Sequence, residues 1–426
     1  MRISAWIRPL AVAVLCVALA GCQSPAPQPE PSASPSAGAQ VKMLWWGDAQ
    51  EEAVLAEQLA ALDVDVEVEK VEAAKAEEVI AERIAAGQPP DIVRTTLPHD
   101  YAKNAQALHI EWDFVDAAER AATDGQRVIA APYDAAMTAT YINKNAFQKA
   151  GVDVPELGHP WRTWAELIAD AQQVKNSNQM SASLAISNDP TTVGAFLMSY
   201  GTPMFGKNPI HVDFNTGVIE DALEEFYEWA KAGEIANVYP SYQAPDSSAS
   251  PIATPDGEET AEDVTTTPPQ TSALELFEAG EVPVVILPAR TPAPAGSVRV
   301  DNPCQEICGG LPQASYLSAL TEAGASAGVI EALTSKDADE KRAQAAGTLV
   351  VHTELIPTVP QEPAGVAGEY ARLMPTQMSS GMSPVMSKLT DWPGDELAML
   401  LADEINPKKA AELMRERLQD GVDEVK

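Results

Sequence analysis

From Val41 onward, short apolar runs closed by turn signals alternate with stretches of helical period. That alternation confines the chain to an α/β architecture. VKMLWWG (41–47) is a compact apolar run ending in glycine, the pattern of a buried strand. In EEAVLAEQLAAL behind it, Val54, Leu55, Leu59 and Leu62 fall at helical spacing. VDVEVEKV then alternates as a strand. Ala76, Val79, Ile80 and Ile84 mark a second helix, Gly87 stops it, and PPDIVRT is the next strand. VIAAPYD and MTATYINK read as two strands close together. A mainly helical region follows, in which Thr163 is placed to cap WAELIADAQQVK with Glu166 three residues later, as in a capping box. Ile219, Leu223, Phe226, Tyr227 and Ala230 share one helical face. Strand signal returns at 282–287 and 297–300, and the chain ends in a helix with Ala410, Leu413, Met414 and Leu418 on one face. Strands that alternate with helices need a mostly parallel sheet with helices on its faces.

The N-terminal residues carry a different signal. Arg2 and Arg8 precede an apolar stretch from Leu10 to Leu19, which ends Leu19-Ala20-Gly21-Cys22. This is an export signal (1–21) closed by a sequence similar to the lipobox of bacterial lipoproteins, with Cys22 as the thiol to be lipidated. Residues 22–40, a Pro/Ser/Ala tract, have no apolar period and read as a tether. The expected location is the outer face of the cytoplasmic membrane, an oxidising compartment. Residues 240–272 are rich in Pro, Thr and acids and contain no Lys or Arg, which marks a surface insertion without a core. At 426 residues the chain exceeds one ordinary domain, and its formal net charge of −34 repels phosphate backbones. Nucleic acid is excluded as a partner.

Residues 132–175, PYDAAMTATYINKNAFQKAGVDVPELGHPWRTWAELIADAQQVK, resemble a segment of the family 1 extracellular solute-binding proteins, the maltose-binding-protein-like receptors of ABC importers. The matching positions are Pro132, Tyr141, Asn143, Lys144, Phe147, Ala150, Gly151, Pro155, Thr163, Trp164, Glu166 and Leu167. Gly87-Gln88-Pro89-Pro90-Asp91-Ile92, Ser199-Tyr200-Gly201, Leu276-Phe277-Glu278-Ala279-Gly280-Glu281, GLPQASYLSAL and Ile356-Pro357-Thr358 fit in the same order. The resemblance implies a two-lobe α/β fold of the type II periplasmic-binding-protein kind, joined by crossing hinge strands. Lobe 1 is expected from 41–142 and about 282–335, lobe 2 from 143–281 and about 336–426. It further implies a monomeric receptor without cofactor or metal that captures a small molecule, a sugar by family habit, and hands it to an ABC permease. One departure stands out. Where the family often carries a sugar-stacking Trp after the strand at 282–287, this chain reads Leu287-Pro288-Ala289-Arg290.

Parallel α/β sheets bind ligands in the loops beyond the carboxyl ends of their strands. The first such loop holds Trp46, Asp48 and Gln50, an aromatic ring with an acid and an amide that suit a polyhydroxylated ligand. Alternation along the strand sends Trp45 to the core and Trp46 to the cleft. The next loop offers Arg94, Thr95 and Thr96, and the following one Tyr133 and Asp134. Tyr133 reads equally as a ligand-stacking ring and as a packing residue at the hinge. Tyr200, Gly201 and Phe205 are candidates for the opposite wall, and Arg290, after a strand end, for a ligand carboxylate.

Signals for catalysis fail on inspection. GTPMFGKN (201–208) breaks the phosphate-loop pattern at Asn208, where Ser or Thr would hold magnesium. GASAG (324–328) copies a nucleophile elbow, but no strand precedes it directly, and Ser326 reads as a helix N-cap. The histidines at 99, 109, 159, 211 and 352 show no zinc-ligand spacing. Cys304 and Cys308 are expected to form a local disulfide. Two rivals to the transport receptor stay open: a surface lipoprotein enzyme such as a glycoside hydrolase, and a binding protein without a transporter that acts as scaffold or sensor.

Overall fold

The computed structural model describes residues 40–110, 113–156, 158–243, 265–267, 271–356, 375–389 and 391–425. The signal segment, Cys22, nearly all of the tether, most of 240–272, and Pro357-Thr358 lie outside them.

Two mixed sheets organise the described residues. The principal strands are β1 (Val41–Trp45), β2 (Val66–Lys70), β3 (Ile92–Thr95), β4 (Ala131–Met137), β5 (Ala139–Asn143), β6 (Leu184–Ile186), β7 (Val284–Leu287), β8 (Ser297–Val300) and β9 (Pro312–Ala319). The first sheet is five-stranded in the order β2-β1-β3-β9-β4, and the second four-stranded in the order β8-β5-β7-β6. β1 runs parallel to β2 and β3, and only β9 opposes the rest of the first sheet. In the second, β7 is parallel to β6 and only β5 runs against its neighbours. This is the two-lobe α/β fold, each sheet flanked by helices.

The local reasons are visible at the first crossover. α1 (Ala49–Ala60) starts at Asp48, whose carboxylate accepts from the Gln50 and Glu51 amides while Glu51 reaches back to the Asp48 amide. This capping box turns the chain sharply out of β1. Gly47 makes the turn possible, because a Cβ there would sit 2.4 Å from the Trp45 ring. α2 (Ala76–Ala85) buries Ile80 beneath the sheet. In the second lobe, α3 (Trp164–Asn178) begins at Thr163, which accepts from the Glu166 amide. The Glu166 carboxylate accepts from the amide of Arg162, one residue short of a reciprocal box. α4 (Thr216–Lys231) turns Ile219, Leu223 and Phe226 into a core with Trp164, Phe196 and Trp392, which Ala410, Met414 and Leu418 of the last helix, α8 (Pro407–Val425), complete.

Three further helices matter below: α5 (Glu322–Ser326), α6 (Lys336–Ala346) and α7 (Gly394–Leu401). Ser326 ends α5, donating to the Glu322 carbonyl, while Thr321 caps that helix; the N-cap role expected of Ser326 is not realised.

The segments assigned to each lobe divide differently from expectation. β7 and β8 pair with β5 in the second sheet, so only the later part of 282–335 belongs with the first. α6 packs on α1 of the first lobe, where Gln58 donates to the Ala338 carbonyl at 2.9 Å. The reason is Arg342, almost wholly buried, whose guanidinium donates to the carbonyls of Tyr133 and Leu333 and lies 3.9 Å above the Tyr133 ring.

The lobes are joined where β4 gives way to β5 across Thr138 alone. The returning segment meets it there. Asn302 donates to the Thr138 carbonyl at 3.0 Å and accepts from Thr140 at 2.8 Å, and the Leu311 amide donates to the Thr138 hydroxyl at 3.2 Å. All of these groups are buried, so the two crossings form one hydrogen-bonded hinge.

Candidate functional site

The chain's crossing leaves a cleft of about 700 Å³ between the sheets, within the range of small-molecule sites. Trp46, Asp48 and Glu51 from the end of β1, Ala135 to Met137 of β4, and Gly347 to Leu349 form one wall. Ala139 and Tyr141 of β5, Arg290 with the residues after it, and Arg299 of β8 form the other. Leu349 is tied to the first sheet by paired amide–carbonyl bonds to Ala135.

The strand end works as the alternation requires. Trp45 is fully enclosed in the first-lobe core beside Leu55 and Tyr133, and Trp46 faces the cleft. Only 4% of Trp46 is exposed, because its indole N–H donates to the Arg94 carbonyl at 2.8 Å and two guanidinium groups lie over its ring, Arg94 at 4.1 Å and Arg290 at 5.2 Å. Cations over indole faces are attracted by the ring quadrupole, more strongly when shielded from water.

Beneath Trp46 lies a buried charge network. Arg94 donates to Asp134 at 2.6 Å, to Glu51 at 2.8 Å, to Ser315 at 3.2 Å and to the Trp46 carbonyl. Arg290 reaches across from the second lobe to the other Asp134 oxygen at 2.6 Å and stands 3.8 Å from Glu51. Burial alone would push the Asp134 carboxyl up, but Arg290, Arg94 and Arg342, with the Ser315 hydroxyl, hold it well below the usual carboxylate range. Burial would likewise lower Arg94, and Asp134 and Glu51 outweigh it, so its charge is permanent. A fully shielded Asp thus meets two cations, one from each lobe.

Several expected ligand contacts are committed elsewhere. Asp134 is an ion-pair partner with no exposed surface. Tyr133 is core, clamped between Arg342 and Arg94, which is the packing alternative for that ring. Thr95 and Thr96 are held by the Glu77 carboxylate, away from the cleft. Gln50 is exposed on α1 beyond the cleft lining. Tyr200 packs in the second-lobe core and donates to the exposed Glu225 at 2.8 Å, Phe205 is fully buried in that core, and Gly201 forms a turn with φ 99° outside the lining. Trp46, Asp48 and Arg290 do line the cleft, Asp48 as a helix cap and Arg290 as an inter-lobe ion pair. Cys304 and Cys308 are joined by a disulfide.

Residues not expected from sequence to meet a ligand complete the lining. Tyr141 and Arg299 face each other in the β5–β8 ladder, and burial pushes the Tyr141 phenol up against the opposing effect of Arg299. Their signal was available: in SVRV a charged residue alternates with valines on a strand that flanks a covered sheet. The role of Glu51 was legible only as the third residue of a helix.

A model of the family described as bacterial extracellular solute-binding protein matches residues 47–290. No curated protein sequence matches. Among solved structures, the GacH receptor of Streptomyces glaucescens, known in unliganded form and with acarbose, aligns over 91% of this chain and 99% of its own, with TM-score 0.66 and 15% identity. The cyclic alpha-maltosyl-1,6-maltose binding protein of Arthrobacter globiformis aligns over 91% and 99%, with TM-score 0.64 and 14% identity. A maltose-bound protein of T. maritima aligns over 89% and 99%, with TM-score 0.62 and 16% identity.

Proposed function

Because the chain belongs to the bacterial extracellular solute-binding proteins, we propose that it is the substrate-binding lipoprotein of an ABC importer. It is anchored through Cys22 and holds a carbohydrate between its lobes for delivery to a membrane permease. The observation that carries the reading is the inter-lobe cleft itself, walled by both sheets and hinged at Thr138, with Trp46 at its floor. An indole edge, the Tyr141 phenol and small apolar residues such as Ala135, Ala136 and Ala139 suit a molecule with apolar faces and hydroxyl rims. The lipobox-like end of the signal and the tether support a receptor held beside a permease, and the saccharides bound by the structural relatives support the ligand class. Binding to the folded state raises the melting temperature by mass action. A thermal-shift screen of mono- and oligosaccharides is therefore expected to return at least one stabilising ligand. Trp46→Ala weakens it by about 1–3 kcal/mol through lost ring contact, and Trp45→Ala lowers stability with or without ligand. A screen in which no saccharide stabilises the protein sinks the reading. For the anchor, mass spectrometry of native protein is expected to show diacylated Cys22, and unmodified Cys22 refutes that part alone.

A further inference from the structure

The cleft contains polar groups that the fold does not use. The cations lining it are Lys70, Arg290 and Arg299. Lys70 is paired with Glu52, and Arg290 with Asp134 and Glu51. Arg299 has neither an ion pair nor a side-chain hydrogen bond to any described residue, and its Nη2 is enclosed without an acceptor. On the same wall, the Tyr141 hydroxyl, in register with Arg299, also has no partner among the described residues. From the first-lobe wall, the Thr348 hydroxyl is buried and unpaired. A buried polar group left without a partner carries its desolvation cost uncompensated, and the more so when charged. The fold tolerates that cost at Arg299 and Thr348, which line one cavity from both lobes, with the unpartnered Tyr141 hydroxyl beside them.

The lining acids do not answer Arg299. Glu51 is engaged by Arg94, Glu72 by Lys75, and the Asp48 carboxylate by the first amides of α1. Resting on the saccharide-receptor reading above, we propose that the ligand is an acidic saccharide, whose oxyanion is taken by Arg299 with Tyr141 donating beside it and Thr348 closing from the opposite lobe. The guanidinium fork matches carboxylate and phosphate oxygens alike, so a uronate and a sugar phosphate share the required chemistry. The formal charge of −34 does not forbid this, since distant surface charges are screened beyond roughly 8 Å at physiological salt. The Arg290–Asp134 pair leaves Arg299 as the cation available to a ligand, a role that sequence position alone had suggested for Arg290.

The test is calorimetric titration of the full chain with trigalacturonate, glucose 6-phosphate and neutral maltotriose, on wild type and on Arg299→Gln of matched melting temperature. An acidic probe is expected to bind, and R299Q to weaken it by about 10- to 100-fold, with Arg299→Lys recovering part of the loss. Whichever acidic probe binds distinguishes carboxylate from phosphate. Binding of maltotriose without either acidic probe overturns this inference and leaves the saccharide receptor standing. An acidic probe bound equally by R299Q also overturns it. Failure of all three probes, followed by failure of the wider saccharide screen, removes both readings together.

Discussion

Replacing Arg94 by Met keeps the length and apolar body of the side chain and removes every donor. Asp134 then loses its 2.6 Å partner and Glu51 its 2.8 Å partner, while the Trp46 carbonyl loses its donor as well. Breaking a buried ion pair from one side costs about 3–5 kcal/mol. Asp134 retains Arg290 at 2.6 Å and the Ser315 hydroxyl, which puts the expected loss near the lower end, ~3 kcal/mol. Arg290→Met leaves Asp134 with Arg94 and disturbs a side chain 13% exposed, so its cost is about 1–2 kcal/mol. The double variant strands a carboxylate of zero exposure with neither of its ion-pair partners, leaving only the more distant Arg342, and its cost is expected to exceed the sum of the single losses by roughly 1–3 kcal/mol. Urea unfolding at pH 7 of the four proteins in the cycle measures this. The pH dependence supplies a second reading. Because the folded-state carboxyl of Asp134 is held below its ordinary value, its stabilising contribution is complete above about pH 4 and fades as the pH falls through the folded-state value. The gap between wild type and Asp134→Asn is therefore flat from pH 7 to pH 5 and narrows below ~4. An Arg94→Met cost under about 1 kcal/mol, or strict additivity within roughly 0.5 kcal/mol, refutes the network as described.

Gly324→Ala would place a Cβ 2.2 Å from the Asp91 carbonyl oxygen, a backbone atom that cannot swing aside, and is expected to lower the unfolding free energy by about 1–3 kcal/mol, and the urea midpoint with it. An unchanged midpoint shows that α5 can move away from β3. Cys304 and Cys308 are expected to resist alkylation in unreduced protein, and Ser at both positions to cost about 2 kcal/mol, the low end for a short loop; two alkylated thiols contradict it. Burial pushes the Glu396 carboxyl in α7 up to about 7 against the opposing Arg417. A raised acid favours the folded state at low pH and loses that advantage as the pH climbs from ~4.3 to the folded value. Glu396→Gln is therefore expected to gain on wild type between pH 5 and pH 8, by up to about 3 kcal/mol, and a constant difference tells against the shift.

Much of the architecture was legible because its signals are local. Asp48 and Thr163 announce helix starts whatever surrounds them, and the period-two facing of Trp45 and Trp46 follows from strand geometry. The motif order from Tyr141 to Leu167 carried the family resemblance, which the match over 47–290 places on firm ground. The site was legible only in part. Candidates chosen because they follow strand ends divided according to what met them: Trp46 remained at the cleft, and Thr95 and Thr96 met Glu77.

From the sequence alone came the alternation of elements, most of their caps and the facing of Trp45 and Trp46, all set by neighbours within a few positions. The tertiary structure decided which charges are spent and which remain. Asp134 meets Arg94 over 40 positions and Arg290 over 156, and whether a guanidinium serves a ligand or the fold depends on the carboxylate that folding brings to it. Arg290 found Asp134 and Arg299 found none among the described residues. Coulombic pairing depends on distance in space, and that distance is fixed only when the sheets have packed.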